Sequence, residues 1–366
     1  MRALRDLSDL GQSVWLDYIR RSFVVGGELQ RWVDQGVRGV TANPTILEKA
    51  IDGSNDYDDH LAELAKEGKS PEDIYEALAL EDIGSAADMF RPVYEQGGDG
   101  FVSLEVSPAL AHDTQGTIES AQHLFRALNR PNVFIKVPAT DEGFPAIEAL
   151  ISQGINANVT LIFSLAQYEA SAEAYIAGLE RRTAEGKDVS RVASVASFFV
   201  SRVDTAVDRE LQKIGNRDLQ GRIAIANAKL AYSRFSQIFR GPRWERLAAL
   251  GAKVQRPLWA STGTKNPNYA DTLYVDELIG PRTVNTLPPA TLQAWLDHGK
   301  AAPTLELRVD EARAQVARLA DLEVSLDRIT QQLAVEGVDI FAKSFDTLMS
   351  SIAAKSAHFR SPAVTR

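Results

Sequence analysis

Short runs of β-branched and aromatic residues recur along the chain, and most give way to stretches in which apolar positions return every three or four residues. The first kind predicts strands at 13–19 (SVWLDYI), 39–43 (GVTAN), 101–106 (FVSLEV) and 133–139 (VFIKVPA). Four more follow at 158–163 (NVTLIF), 194–203 (SVASFFVSRV), 257–262 (PLWAST) and 283–287 (TVNTL). The second kind predicts helices at 113–128, 143–153, 165–180 and 219–238. Eight strands alternating with helices call for a parallel sheet, and eight is the number that closes a (β/α)8 TIM barrel. The expected architecture is one barrel domain over 1–366, with the barrel itself at about 10–300.

Two segments exceed that pattern. The stretch 45–100 is too long for one crossover helix, and within it Ser70-Pro71-Glu72-Asp73 reads as a cap followed by proline at the first helical position. Additional helices decorating the barrel are expected there. Beyond the last strand, 303–359 is amphipathic, with helices expected at 309–333 and 338–355. No Pro/Gly-rich linker sets it apart, so it reads as a C-terminal helical layer against the barrel, with Phe341 and Phe345 shielding the mouth from water.

Composition narrows the function. The chain has 366 residues, 45% of them hydrophobic and 24% charged, which is ample for a large core. A net charge of -9 leaves no electrostatic footprint for nucleic acid, although a small phosphorylated ligand needs only two or three local cations. The absence of cysteine excludes disulfides, thiolate nucleophiles and cysteine metal sites, and the five histidines show no pair at helical ligand spacing, so no metal is expected. The N-terminus lacks the apolar core of a secretory signal and no run is long enough to span a bilayer; the cytoplasm is the expected compartment.

In a barrel, chemistry gathers where the strands end at the carboxyl face. Polar residues inside otherwise apolar strands are therefore informative, because burying one without a partner costs a few kcal/mol or more. The fourth strand has a single lysine, Lys136, sharing a face with Phe134. A desolvated amine favours its neutral, nucleophilic form, which is what imine formation with a carbonyl requires; the competing reading is an edge-strand gatekeeper or a lysine whose head reaches solvent. Asp17 at the end of the first strand and Glu105 in the third are candidate acid/base groups, or else ordinary salt-bridge partners and caps. Small polar residues recur at successive strand ends: Thr41, Asn43, Asn158, Thr160, Ser197 and Ser261, a pattern that simple turn chemistry also produces. Arg202 and Lys265 add cations past strands six and seven, where such barrels often hold phosphate. Gly263-Thr264-Lys265 lacks the upstream glycine of a P-loop, and no dinucleotide fingerprint is present.

Taken together, these motifs resemble the transaldolase family in its longer bacterial form. Gly39-Val40-Thr41-Ala42-Asn43-Pro44-Thr45 is similar to the family's second-strand signature, Ile135-Lys136-Val137-Pro138-Ala139-Thr140 with Asp141-Glu142-Gly143 to its lysine signature, and Gly154-Ile155-Asn156-Ala157-Asn158-Val159-Thr160-Leu161-Ile162-Phe163-Ser164, followed by Gln167, to its fifth-strand signature. The resemblance implies that Lys136 forms a Schiff base with a ketose phosphate, that Asp17 is the acid/base of carbon–carbon cleavage, and that Glu105 with a water near Thr160 serves imine formation. It further implies that Asn43, Asn158 and Ser197 bind dihydroxyacetone hydroxyls, that Phe199 lines the pocket, and that Arg202, Ser261 and Lys265 hold phosphate. Many relatives carry arginine shortly after the serine that matches Ser261, where Ser261-Thr262-Gly263-Thr264-Lys265 offers lysine, and lysine lacks arginine's forked contact. The implied reaction moves dihydroxyacetone from sedoheptulose 7-phosphate or fructose 6-phosphate to glyceraldehyde 3-phosphate or erythrose 4-phosphate, in the non-oxidative pentose phosphate pathway, without cofactor or metal. Its partners would be sugar phosphates, with no nucleic acid and no membrane, and the protein a monomer or homodimer. Two rivals remain: a class I aldolase on the same barrel, which releases dihydroxyacetone to water, and a non-catalytic sugar-phosphate-binding barrel.

Overall fold

A computed structural model of the chain describes residues 2–360. Strands β1 (Gln12–Leu16), β2 (Gly39–Thr41), β3 (Phe101–Glu105), β4 (Val133–Pro138), β5 (Ala157–Ile162), β6 (Ser194–Phe199), β7 (Arg256–Ala260) and β8 (Thr283–Leu287) pair in chain order. All pairings are parallel, and β8 returns to β1 with Gln12 opposite Thr283 and Leu16 opposite Leu287. The fold is thus a closed (β/α)8 barrel with additional helices, as the alternation of patterns predicts. Strands walled by helices outside and by packed side chains inside are buried on both faces, which is why their sequences run nearly continuously apolar.

Aromatic rings close the amino-terminal floor. Phe134 stacks on Phe101 at 4.3 Å between centroids and on Trp15 at 5.9 Å. The Trp15 indole N–H donates to Asp99 at 2.8 Å, and Arg256 lies 5.8 Å from the same ring while reaching Asp99 at 3.3 Å. Gly39 is required here, because a Cβ would lie 2.7 Å from both the Trp15 ring and the Phe101 carbonyl oxygen. With the floor plugged, only the carboxyl end is left open for a ligand.

Several boundaries differ from the sequence expectation. Strand β6 stops at Phe199 rather than Val203, because Ser201 opens a helix (Ser201–Lys213) and carries Arg202 onto its first turn. The β-branched residues of VSRV mimic a strand continuing. Likewise β1 ends at Leu16, short of 19, and the helix expected from 219 begins at Ile223. A helix at Arg2–Asp9, which the strand-centred reading passes over, buries Leu4 and Leu7 under the barrel.

The long insertion folds into helices Pro44–Asp52, Asp58–Lys66 and Pro71–Glu95. The last begins where the cap motif predicts. Ser70 Oγ accepts from the Asp73 amide at 3.1 Å, and the Asp73 carboxylate accepts from the Ser70 amide at 3.3 Å. The C-terminal layer is present, but its break falls elsewhere: its helices are Val309–Asp321 and Leu326–Arg360, turning at Glu323 in a left-handed conformation (φ 58°) rather than at 333–338. Gly337 lies within the second helix. It allows close approach to the barrel, since a Cβ there would sit 2.9 Å from Leu161 Cδ2. Leu161 itself has φ 60° where β5 shifts register against β6. The C-terminal helix rests on the inserted helices through Thr45–Ser344 at 2.8 Å, Lys355–Asp58 at 3.0 Å and Arg360 donating to the Ala65 carbonyl at 2.8 Å.

Candidate active site

Register places the charged residues side by side. Glu105 on β3 is the direct partner of Lys136 on β4, which in turn is opposite Asn158 on β5. Lys136 is 4% exposed, so it is neither an edge gatekeeper nor a lysine reaching solvent. Its Nζ lies 3.3 Å from Glu105 Oε2 and donates to the Ala42 carbonyl at 3.3 Å. The carboxylate contact is an ion pair without the alignment of a hydrogen bond. Burial pushes the Glu105 carboxyl above the usual range, opposed by the Lys136 charge.

Asp17 sits just past the end of β1. Its carboxylate accepts from Thr41 Oγ at 2.6 Å, and that hydroxyl is also 2.6 Å from Thr286 Oγ on β8. Burial raises this carboxyl too, while the Thr41 hydrogen bond and the charges of Lys136, Lys265 and Arg202 hold it back. Below lies a chain of neutral polar groups: Ser197 Oγ donates to Asn158 Oδ1 at 2.7 Å, and Asn158 Nδ2 donates to Ser103 Oγ at 3.1 Å. Thr160 is fully buried, and its Oγ1 has no protein partner among the described residues. In a closed interior such a hydroxyl calls for a water or a ligand atom.

Above these residues opens a cavity of about 260 Å³. Asp17, Asn43, Lys136, Ser197 and Phe199 line it, with Arg202, Ser261 and Lys265 on the side of β6 and β7. Glu105, Asn158 and Thr160 lie outside that lining, and Glu105 touches the chemistry through Lys136. Asn43 has a second duty, since its side-chain oxygen caps the helix Pro44–Asp52 by accepting from the Ile46 amide at 2.9 Å. Ser261 takes a left-handed conformation (φ 56°), its hydroxyl 2.9 Å from that of Ser201. Arg202 lies 5.3 Å from the Phe199 ring and 5.9 Å from that of Phe341, with Nη1 unpaired among the described residues; burial lowers its pKa. An unpaired guanidinium nitrogen beside an exposed Lys265 suits an anion.

Phe341 reaches the cavity as expected, but Phe345 does not: it packs edge-on against Tyr75 of the inserted helix, 5.2 Å between centroids. Four residues apart, the two rings share a face of the same helix, but that face passes from the cavity at Phe341 onto the inserted helix at Phe345. The polar contacts of Thr41, Thr286 and Ser201 escaped the reading by residue. Thr286 did leave a signal, a polar residue inside an apolar eighth strand. Among the described residues no trio of His, Asp or Glu could hold a metal ion, and no helix is long and apolar enough to cross a membrane.

Fold and site together define a class: a (β/α)8 barrel enzyme with a buried lysine paired to a carboxylic acid at the carboxyl end, and a cationic rim. Comparison with known proteins gives the particular kinship. The sequence pattern of the transaldolase/fructose-6-phosphate aldolase family matches residues 14–352. The transaldolase of Thiobacillus denitrificans is 49% identical over 358 residues, covering 96% of this chain and 100% of the relative. The transaldolases of a Parafrankia species and of Trichodesmium erythraeum are 50% and 45% identical, each covering 96% of this chain and 97% of the relative. The chain belongs to the transaldolase/fructose-6-phosphate aldolase family.

Proposed function

We propose that this protein is a transaldolase, moving a dihydroxyacetone unit from a ketose phosphate to an aldose phosphate through a Schiff base on Lys136. The observation that carries the reading is the buried Lys136 Nζ, 3.3 Å from a carboxyl group and opening onto a cavity rimmed by Arg202 and Lys265. Nζ attacks the ketose carbonyl, and Glu105 passes the protons that turn the carbinolamine into an iminium. A water held by the unpaired Thr160 hydroxyl completes that relay. Asp17 takes the proton of the C4 hydroxyl as the C3–C4 bond breaks, and the iminium accepts the electron pair. The aldose phosphate departs, the three-carbon enamine waits, and an incoming aldehyde reverses the steps, giving ping-pong kinetics.

Asn43 and Ser197 bind the hydroxyls of the three-carbon unit, Ser197 being held in place by Asn158, and Phe199 lines their pocket. Arg202, Ser261 and Lys265 receive the phosphate; Lys265 does so as a point charge rather than a fork. The reaction belongs to the non-oxidative pentose phosphate pathway, in the cytoplasm. The relatives' names, all transaldolase, favour transfer over simple aldol cleavage.

Borohydride added with fructose 6-phosphate is expected to label Lys136 irreversibly and no other residue, as located by mass spectrometry of peptides. Labelling elsewhere, or an active protein that resists labelling, refutes the assignment. Lys136→Arg is expected to abolish turnover with the fold intact.

A further inference from the structure

One ring from outside the barrel reaches both charged poles of the site. Phe341 on the C-terminal helix is 3% exposed, its centroid 5.7 Å from Lys136 Nζ and 5.9 Å from Arg202 Cζ. The helix is fixed on either side of it: Gly337 lies against Leu161, Ser344 is bonded to Thr45, and Phe345 is packed on Tyr75. A benzene ring offers water no hydrogen bond, so its place beside Nζ keeps solvent from that side of the amine. Its negative face also steadies the Arg202 guanidinium.

Resting on the Schiff-base reading above, we propose that Phe341 sets how the three-carbon intermediate is divided between transfer to an aldehyde and release to water. The two outcomes make different demands. In transfer, the enamine carbon bonds to the aldehyde carbon, the aldehyde oxygen takes a proton, and water later frees the longer ketose from Nζ. In release, the enamine carbon takes a proton instead, and water adds to the iminium carbon. Nζ then leaves, so one water is consumed and free dihydroxyacetone and the free amine are formed. Early release requires water beside Nζ while no aldehyde is bound, in the space the ring covers. Transfer requires an aldehyde oriented by its phosphate on Arg202, which the same ring holds.

The test uses the full chain with fructose 6-phosphate, with and without erythrose 4-phosphate, quantifying free dihydroxyacetone against the seven-carbon transfer product. Phe341→Ala is expected to raise the ratio of release to transfer about tenfold or more, with Phe341→Leu returning most of the way because apolar volume alone excludes water. Phe341→Gln carries the test in the same direction should the alanine variant fail to fold. Phe345→Ala, which loosens the same helix away from the cavity, is expected to keep the wild-type ratio. An unchanged ratio in the Phe341 variants, or an equal rise in Phe345→Ala, overturns the proposal. Borohydride separates the layers: labelling of Lys136 with an immobile ratio removes only the role of Phe341, whereas absence of labelling in the wild type removes the Schiff base beneath it.

Discussion

Glu105→Gln keeps the shape of the side chain and removes its ability to carry a proton. Turnover is expected to fall by about 10²–10⁴, the usual range for a lost acid/base group, with the fold retained. A change below threefold in steady-state rate refutes the relay. Because burial raises both Asp17 and Glu105, the acid limb of kcat/KM is expected above the ordinary carboxylate range of about 4 to 4.5. A limb at or below that range means that no group required in its ionised form is raised. Lys265→Ala is expected to raise KM for phosphorylated donors about tenfold while sparing unphosphorylated fructose, since an exposed point charge serves binding more than chemistry. Single residues were legible where alternation broke: Lys136, Asp17 and Glu105 interrupt apolar runs, and only a compensating partner makes that tolerable. Their partners were less legible. Thr41 and Thr286 touch across 245 positions of sequence, so nothing local to either announces the contact.

At the scale of elements, the floor and the helix behind the site make separate demands. Gly39→Ala thrusts a Cβ into the Trp15 ring and the Phe101 carbonyl, and a loss of about 1–3 kcal/mol or more is expected in urea unfolding. A midpoint equal to wild type excludes the clash. Asp204, on the helix that carries Arg202, is 1% exposed; it accepts from the Ala224 amide at 2.7 Å and from the Tyr274 hydroxyl at 2.9 Å. Burial, helped by the charge of Asp208, pushes its carboxyl from 3.8 up to about 7. Between those values the folded protein holds a proton that the unfolded chain has released. Stability therefore falls as pH rises through that window, at most about 1.4 kcal/mol per unit. Asp204→Asn accepts from the Ala224 amide through its oxygen and donates to the Tyr274 hydroxyl oxygen through its amide nitrogen, without a titrating charge, so its unfolding midpoints at pH 5, 6 and 7 are expected to be flatter than those of wild type. Equal slopes sink the argument. Strand and helix types were readable because barrel strands are apolar on both faces and helices keep a 3.6-residue period. The ends of β6 and the C-terminal helix were not, because Ser201 is bonded to Ser261 and Gly337 lies against Leu161, contacts with residues far along the chain.

Across the whole molecule, the inserted helices and the C-terminal layer form one support above the barrel mouth, tied by Thr45–Ser344 and Lys355–Asp58. A chain ending at 303 loses Phe341 and exposes the buried faces of the inserted helices. It is expected to lose transfer activity and to unfold earlier on heating; full activity in that truncation denies the layer any part in the site. The repeating pattern alone determined that a parallel barrel forms and which strands bear its chemistry, because hydrophobic period and the price of a buried charge are properties of neighbouring residues. Tertiary structure decided the rest. Closure of β8 on β1 joined Thr286 to Thr41 and so to Asp17, and parallel register set Glu105 beside Lys136. Docking on the inserted helices chose Phe341 over Phe345 to face the amine, since both are aromatic residues on one helix and only the surface beneath distinguishes them.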